Sequence, residues 1–228
     1  MKILSIDTAS DLCTVAVLED ENCIKEIIVN DARNHSEKIM PVIEQALEET
    51  NINLKDINLI VCDKGPGSFT GIRIGVGTVL AFQDSLNKDC VGISSLEALA
   101  YNVKQDGLIC SLIDAKNNNV YIGLFKLENN EYTQLRNFEF KTIEQVITLL
   151  KEYTSPITFV GDGAVTHQNL LHSNFENCFF TDKNQLSSYS LGLAGFNTFK
   201  KGIETSLMPL YLRKSQAERA LEENAKKE

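Results

Sequence analysis

Two stretches decide how this chain is read: IDTASDLCTVAVLEDEN at residues 6–22 and IDAKNNNVYIGLFKLENN at residues 113–130. Each opens where an apolar run ends on an aspartate, Asp7 or Asp114. A short polar loop follows, then a second apolar run, then an acidic and asparagine-rich turn. The two align with one short length difference and few identities, so the order of elements carries the comparison.

Working outward from the first stretch, residues 2–6, 12–18 and 23–29 read as strands, with Asp20-Glu21-Asn22 as the hairpin turn. Asn34-His35-Ser36-Glu37 has the N-x-x-E form of a capping box and opens a helix to about Thr50. Pro41 should kink that helix or lie near its true start. Residues 57–62 are a strand, the loop 63–68 leads into a helix from Phe69 to about Leu86, and 89–93 are another strand. Ser94 or Ser95 caps a helix carrying Leu96 to Tyr101.

The second stretch restarts the series. Strands are expected at 108–113, 120–127 and 131–140, a helix over 143–153, and a strand at 157–160 ending in Gly161-Asp162-Gly163-Ala164. A helix at 164–172, a short strand at 177–180 and a helix at 188–201 complete it. Two tandem βββαβα units predict two stacked α/β lobes, residues 1–102 and 106–205, with a cleft between them. Residues 206–228 form a separate tail.

Composition agrees with a globular chain: 228 residues, 43% hydrophobic and 23% charged. With 31 acidic against 22 basic residues the formal charge is −9, so no strong basic face serves nucleic acid directly. None of the six cysteines forms C-x-x-C, which suits reduced thiols in a cytoplasmic protein. The N-terminal stretch reaches Asp7 too soon for a signal peptide, and no apolar run is long enough to span a membrane.

The residues that could carry chemistry are few. Asp7, Thr8 and Ser10 in the first loop and Asp114 in the second could face each other across the cleft as phosphate loops. The alternative is an Asx-type turn at each hairpin. Neither loop carries the glycine that lets a backbone approach phosphate, which counts against nucleotide hydrolysis. Gly65-Pro66-Gly67-Ser68-Phe69-Thr70-Gly71 follows a strand and opens a helix, but fits neither the Walker A nor the dinucleotide spacing. Gly71, Gly75 and Gly77 inside that helix suggest that something packs very close to it. Over 35–50, Ile39, Met40, Val42, Ile43, Ala46 and Leu47 span an apolar arc of about 160°, wider than the ~100° a core needs. That arc either faces a partner in part or belongs to a helix deeply buried in its own domain. The three histidines, His35, His167 and His172, form no H-x-x-x-H pair, and no metal site is expected.

These residues resemble a known family. IDTASDLCTVAV at 6–17, RNHSEKIMPVIEQAL at 33–47, GPGSFTGIRIGVG at 65–77, IDAKNNNVYIGLF at 113–125, FVGDGA at 159–164 and PLYLR at 209–213 look like the TsaB (YeaZ) family, in order and over nearly the whole chain. The resemblance implies two tandem actin-like (ASKHA, ribonuclease-H-like) lobes with mixed sheets flanked by helices. It implies a cytoplasmic, non-catalytic subunit needed for N6-threonylcarbamoyladenosine (t6A) at position 37 of tRNAs reading codons that begin with A. The chemistry would belong to a paralogue, TsaD, joined by the ATPase TsaE. The chain would have no cofactor of its own, ATP being bound within the complex, and tRNA would be met only there. The family's interface is a bundle of the first two N-lobe helices. Carried here it maps to Ile39, Val42, Ile43, Ala46, Gly71, Ile72, Gly75 and Val79. The same surface could pair two copies of the chain. Asn117-Asn118-Asn119 departs from the family pattern, where Arg or Lys precedes Gly-Glu.

Overall fold

The computed structural model describes residues 1–30 and 35–214. Asn34 of the expected capping box and the tail beyond Lys214 lie outside the described residues. In chain order the first repeat gives β1 (Lys2–Asp7), β2 (Leu12–Glu19), β3 (Asn22–Asn30), α1 (His35–Thr50), β4 (Leu59–Asp63), α2 (Phe69–Leu86), β5 (Asp89–Ile93) and α3 (Ser95–Ala100). The second gives β6 (Gly107–Asp114), β7 (Asn119–Glu128), β8 (Glu131–Gln134), β9 (Glu139–Thr142), α4 (Ile143–Leu150), β10 (Ile157–Val160), α5 (Asp162–Thr166), α6 (Gln168–Asn174), β11 (Cys178–Phe180) and α7 (Ser188–Lys200).

The duplication is visible in the sheets. The first has the order β3-β2-β1-β4-β5 and the second β11-β10-β6-β7-β8, which is the same order read from the other edge. In both, the opening hairpin is antiparallel and the later strands join parallel to the first, as β4 to β1 and β10 to β6. Strand β1 is buried from Ile3 to Asp7, as expected for a central strand covered on both faces.

The second repeat departs from the expected single strand over 131–140. The chain breaks into β8, paired with residues 125–128 of β7, and β9, paired with residues 119–122. Phe138 lies in the break and packs against Phe125, with ring centroids 6.0 Å apart. The expected 164–172 helix is likewise two short pieces, broken at His167, whose φ of −107° and ψ of 16° leave the helical region. Helix α1 runs through Pro41 without a break; Glu37, the residue whose carbonyl loses its donor there, is exposed.

Helices assign themselves to layers by their buried faces. α1 and α2 cover one face of the first sheet, through Ile39, Val42, Ile43 and Ala46 and through Ile72, Val76 and Val79. α4, α5 and α6 cover the far face of the second sheet. Between the sheets lie α3 and α7. Helix α7, at the end of the second repeat, packs on β1, β2, β4 and β5 of the first sheet, and α3, at the end of the first repeat, packs on β6 and β7 of the second. One apolar cluster joins Ile3, Leu18, Leu59 and Val61 to Leu191, Ala194, Leu99, Ile109 and Phe125. Gly195 lets α7 lie this close, because a Cβ there would run into Val61.

Candidate functional site

The first hairpin loop is filled by its own chain. Asp7 ends β1, and its Oδ1 accepts the Ala9 amide at 2.7 Å. Thr8 Oγ1 donates to the Gly71 carbonyl at 2.7 Å. The Ala9 carbonyl accepts the Ser68 amide at 2.7 Å. Ser68 in turn caps α2, accepting the Gly71 amide at 3.2 Å. Ser10 Oγ accepts the Leu12 amide at 3.1 Å and stays within its own turn. A Cβ on Gly67 would collide with the Ala9 carbonyl, and one on Gly71 with the Thr8 carbonyl. The start of α2 therefore lies directly on the first loop, whose Thr8 hydroxyl and Ala9 amide are already bonded within the chain.

A second acid stands beside Asp7. Asp63 ends β4, the parallel neighbour of β1, and is 1% exposed, as is Asp7. Asp63 Oδ1 accepts the Gly65 amide and the Ser95 hydroxyl, both at 2.7 Å. The Oδ2 atoms of both acids are buried, with no donor from another side chain or amide among the described residues. Burial first, and the Asp63 charge second, push the Asp7 carboxyl well above its ordinary value. Burial raises Asp63 to about 6. A proton kept on Asp7 supplies the donor that the pair otherwise lacks. Nothing in the sequence reading marked Asp63; two strand-terminal aspartates on strands that pair in parallel were the available signal.

The second loop is more open. Asp114 accepts the Lys116 amide at 2.9 Å and its ammonium at 2.8 Å. Partial burial alone would raise this carboxyl, but the bonds from Lys116 hold it below the ordinary value. Its own amide donates to Asp162 Oδ1 at 2.9 Å. Lys116, Asn117 and Asn118 all have φ between 54° and 67°, a left-handed run that asparagine tolerates better than most residues. The Asp114 bond raises the Lys116 ammonium, and the Asp11 carboxylate of the first loop adds a smaller push in the same direction. Among the described residues no group of three or more His, Cys, Asp or Glu is placed to hold a metal ion. No helix of those residues is long and apolar enough to cross a membrane.

The residues chosen from sequence as a partner interface need correction. Ile39, Val42, Ile43, Ala46, Gly71, Ile72, Gly75 and Val79 are all buried in the chain's own core. The close neighbour of Gly71 and Gly75 is Thr8: a Cβ on Gly75 would lie 2.6 Å from Thr8 Oγ1. A Cβ on Gly77 would meet nothing within 4 Å. On α1 only Ile39, Val42, Ile43 and Ala46, about 100° of the helix, are seated on the sheet; Met40, which widens the apolar arc, is exposed. The outward faces of the two helices carry other residues: Met40, 50% exposed, with Pro41 and Glu44 on α1, and Leu80, 40% exposed, with Arg73 and Gly77 on α2. Sequence periodicity found the apolar face of α1, and most of that face is taken by the protein's own sheet.

A twice-repeated 3-2-1-4-5 sheet, with helices exchanged between the repeats and an aspartate opening each first hairpin, defines an actin-like (ASKHA) protein. YeaZ from Pseudomonas aeruginosa has this fold, with a TM-score of 0.79 at 24% identity over 92% of this chain and 99% of that one. The activator of 2-hydroxyisocaproyl-CoA dehydratase from Clostridium difficile, solved with bound ADPNP, gives 0.52 at 14% identity over 89% and 97%. Residues 23–221 match the family described as TsaD: tRNA N6-adenosine threonylcarbamoyltransferase. The tRNA threonylcarbamoyladenosine biosynthesis protein TsaB of Bacillus subtilis is 32% identical over 221 residues, 96% of each chain. The chain belongs to the TsaB (YeaZ) family, whose role lies in the biosynthesis of tRNA threonylcarbamoyladenosine.

Proposed function

We propose that this chain is a non-catalytic subunit of t6A formation at position 37 of tRNAs reading codons that begin with A. It supports a TsaD-like catalytic paralogue by dimerising with it, a TsaE-like ATPase joins the pair, and tRNA is met through the assembled complex in the cytoplasm. The observation that carries this reading is the filled first loop. Thr8, Ala9, Gly67 and Gly71 close on one another where the fold would otherwise receive a phosphate. The docking surface in this reading is the outward side of α1 and α2, with Met40, Gly77 and Leu80 at its centre. Half-exposed Met and Leu beside an open glycine suit the close approach of a partner helix.

Light scattering coupled to size-exclusion chromatography tests it. The chain is run alone, with TsaD from the same organism, and with TsaD after Leu80→Glu. A one-to-one complex is expected for the wild type. A charge at the centre of the contact should weaken association by on the order of 2–4 kcal/mol. Leu80 is partly solvated, so the variant keeps its fold. A wild type that ignores TsaD, or a Leu80→Glu chain that binds TsaD as the wild type does, overturns the reading or its interface respectively. A homodimer of the isolated chain that the same variant dissolves would place self-pairing on the same face.

A further inference from the structure

The motif Pro209-Leu210-Tyr211-Leu212-Arg213 carries part of the family resemblance but no role in the proposed function, yet the chain holds it closely. Residues 205–213 lie outside any helix or strand. They begin on the first lobe. Thr205 Oγ1 accepts the Gly92 amide at 2.9 Å, and Gly92 has no Cβ to strike the Ser206 carbonyl. Leu207 is buried in the core beneath α2. The Leu210 amide donates to the Lys64 carbonyl at 2.7 Å. Tyr211 stacks on Phe69, with centroids 4.5 Å apart and planes 9° apart, and its hydroxyl accepts Arg73 Nε at 2.9 Å.

Within two residues the segment has reached the second lobe. Leu212 packs against Leu96, Ala115 and Tyr121. Arg213 Nη1 donates to the Ala115 carbonyl at 3.0 Å, and its guanidinium lies 5.7 Å from the Tyr121 ring centre and 5.8 Å from that of Phe140. Arg73 and Arg213 both fasten the segment, although the buried Arg213 Nε has no hydrogen-bond partner among the described residues.

We infer that residues 205–213 form a strap that couples the glycine loop at the start of α2 to the second hairpin, with Arg213 as its latch. The strap has two firm ends and no secondary structure between them. Loosening one end therefore loosens the other, as a single opening unit. This inference does not depend on the partner reading.

Hydrogen exchange of the full chain tests it, with Arg213→Gln, Arg213→Lys and Tyr211→Phe compared to wild type. Arg213→Gln keeps the length but loses the charge over the two rings. It should speed exchange about tenfold in residues 115–121 and at least about threefold in residues 64–73, with Arg213→Lys between it and wild type. Tyr211→Phe keeps the stack and loses the Arg73 bond, so it loosens the strap from the first lobe with little risk to the fold. It should speed exchange at 115–121 as well as at 64–73. The inference is overturned if Arg213→Gln changes 115–121 alone, if neither segment responds, or if Tyr211→Phe acts only on 64–73. Any of these would mean two independent anchor points rather than one strap.

Discussion

Thr8 locks to Gly71 in two ways. Its hydroxyl donates to the Gly71 carbonyl at 2.7 Å, and its own carbonyl occupies the space that a Cβ on Gly71 would need. A glycine that looks from sequence like an accommodation to a partner helix is thus an accommodation to the chain's own first loop. The three helical glycines of α2 then separate into two kinds. Gly71→Ala forces backbone against backbone and should destabilise the isolated chain by about 3 kcal/mol or more. Gly77→Ala fills empty space and removes a flexible residue from a helix interior, so it should stabilise by about 0.5–1 kcal/mol. Urea denaturation of both variants checks the contrast. Equal effects at the two positions would mean that the contact between loop and helix is not what fixes Gly71.

The carboxyl pair at the ends of β1 and β4 makes stability depend on pH in a direction opposite to that of most surface carboxylates. Burial raises both groups, Asp63 to about 6 and Asp7, with the Asp63 charge adding to burial, well above 3.8. A carboxyl with a raised folded pKa binds its proton more tightly folded than unfolded. Its contribution is complete below the unfolded value and is lost as pH rises through the folded one. Asp63→Asn keeps an oxygen for the Gly65 amide and the Ser95 hydroxyl and offers an amide N–H to Asp7. At pH 8 the variant should be more stable than wild type by on the order of 1–3 kcal/mol, and near pH 4 the difference should vanish or reverse. Denaturation midpoints at pH 4, 6 and 8 decide it. A constant loss at all three would show that Asp63 acts only through its packing.

Much of this was legible because the chain says it twice. Two strand-end aspartates opening two hairpins fix the direction of β1 and β6, and the elements that follow repeat in order. What stayed hidden are relations between elements far apart in sequence. Ile72 and Val79 announce an apolar helix face but not which surface it meets. Leu191 and Ala194 announce another, yet nothing local tells that it meets Val61 of the other repeat. Asp63 opens a conspicuous loop, and only the parallel register of β4 on β1 turns it into a partner for Asp7. The break between β8 and β9 is also a tertiary effect, since 131–140 has no proline or glycine to announce it.

The filled loop also bears on nucleotide. With Thr8 and Ala9 bonded to the start of α2, an incoming phosphate would have to displace two hydrogen bonds, one of them buried, before making its own. Replacing such contacts costs about 1–3 kcal/mol each when the new partner cannot reproduce them. The isolated chain should therefore bind MgATP no more tightly than about 1 mM. Equilibrium binding with labelled ATP checks this. Micromolar affinity with measurable turnover would instead favour an actin-like ATPase or a small-molecule kinase, and the filled loop would then be one state of a moving element.

The exchange of α3 and α7 between the repeats sets a limit on how far each lobe can stand alone. A fragment ending at residue 102 keeps the first sheet with α1 and α2, but it loses α7. Ile3, Leu18, Leu59 and Val61, all buried at 0% exposure in the whole chain, then face water. Burying an aliphatic side chain of this size is worth about 1.5–3 kcal/mol, and four of them together approach the whole stability of a small domain. Fragment 1–102 should accordingly bind a hydrophobic dye and melt without a cooperative transition. The full chain should unfold in a single step, because the cluster that joins both sheets cannot open on one side only. A fusion of 1–102 to residues 186–200 through a flexible linker returns the missing helix, and part of the cooperativity should return with it. Calorimetry and dye binding on the three proteins would settle the matter. A sharp transition for 1–102 alone would mean that α7 adds stability to a lobe that is already complete, and the two repeats would then be domains in the full sense.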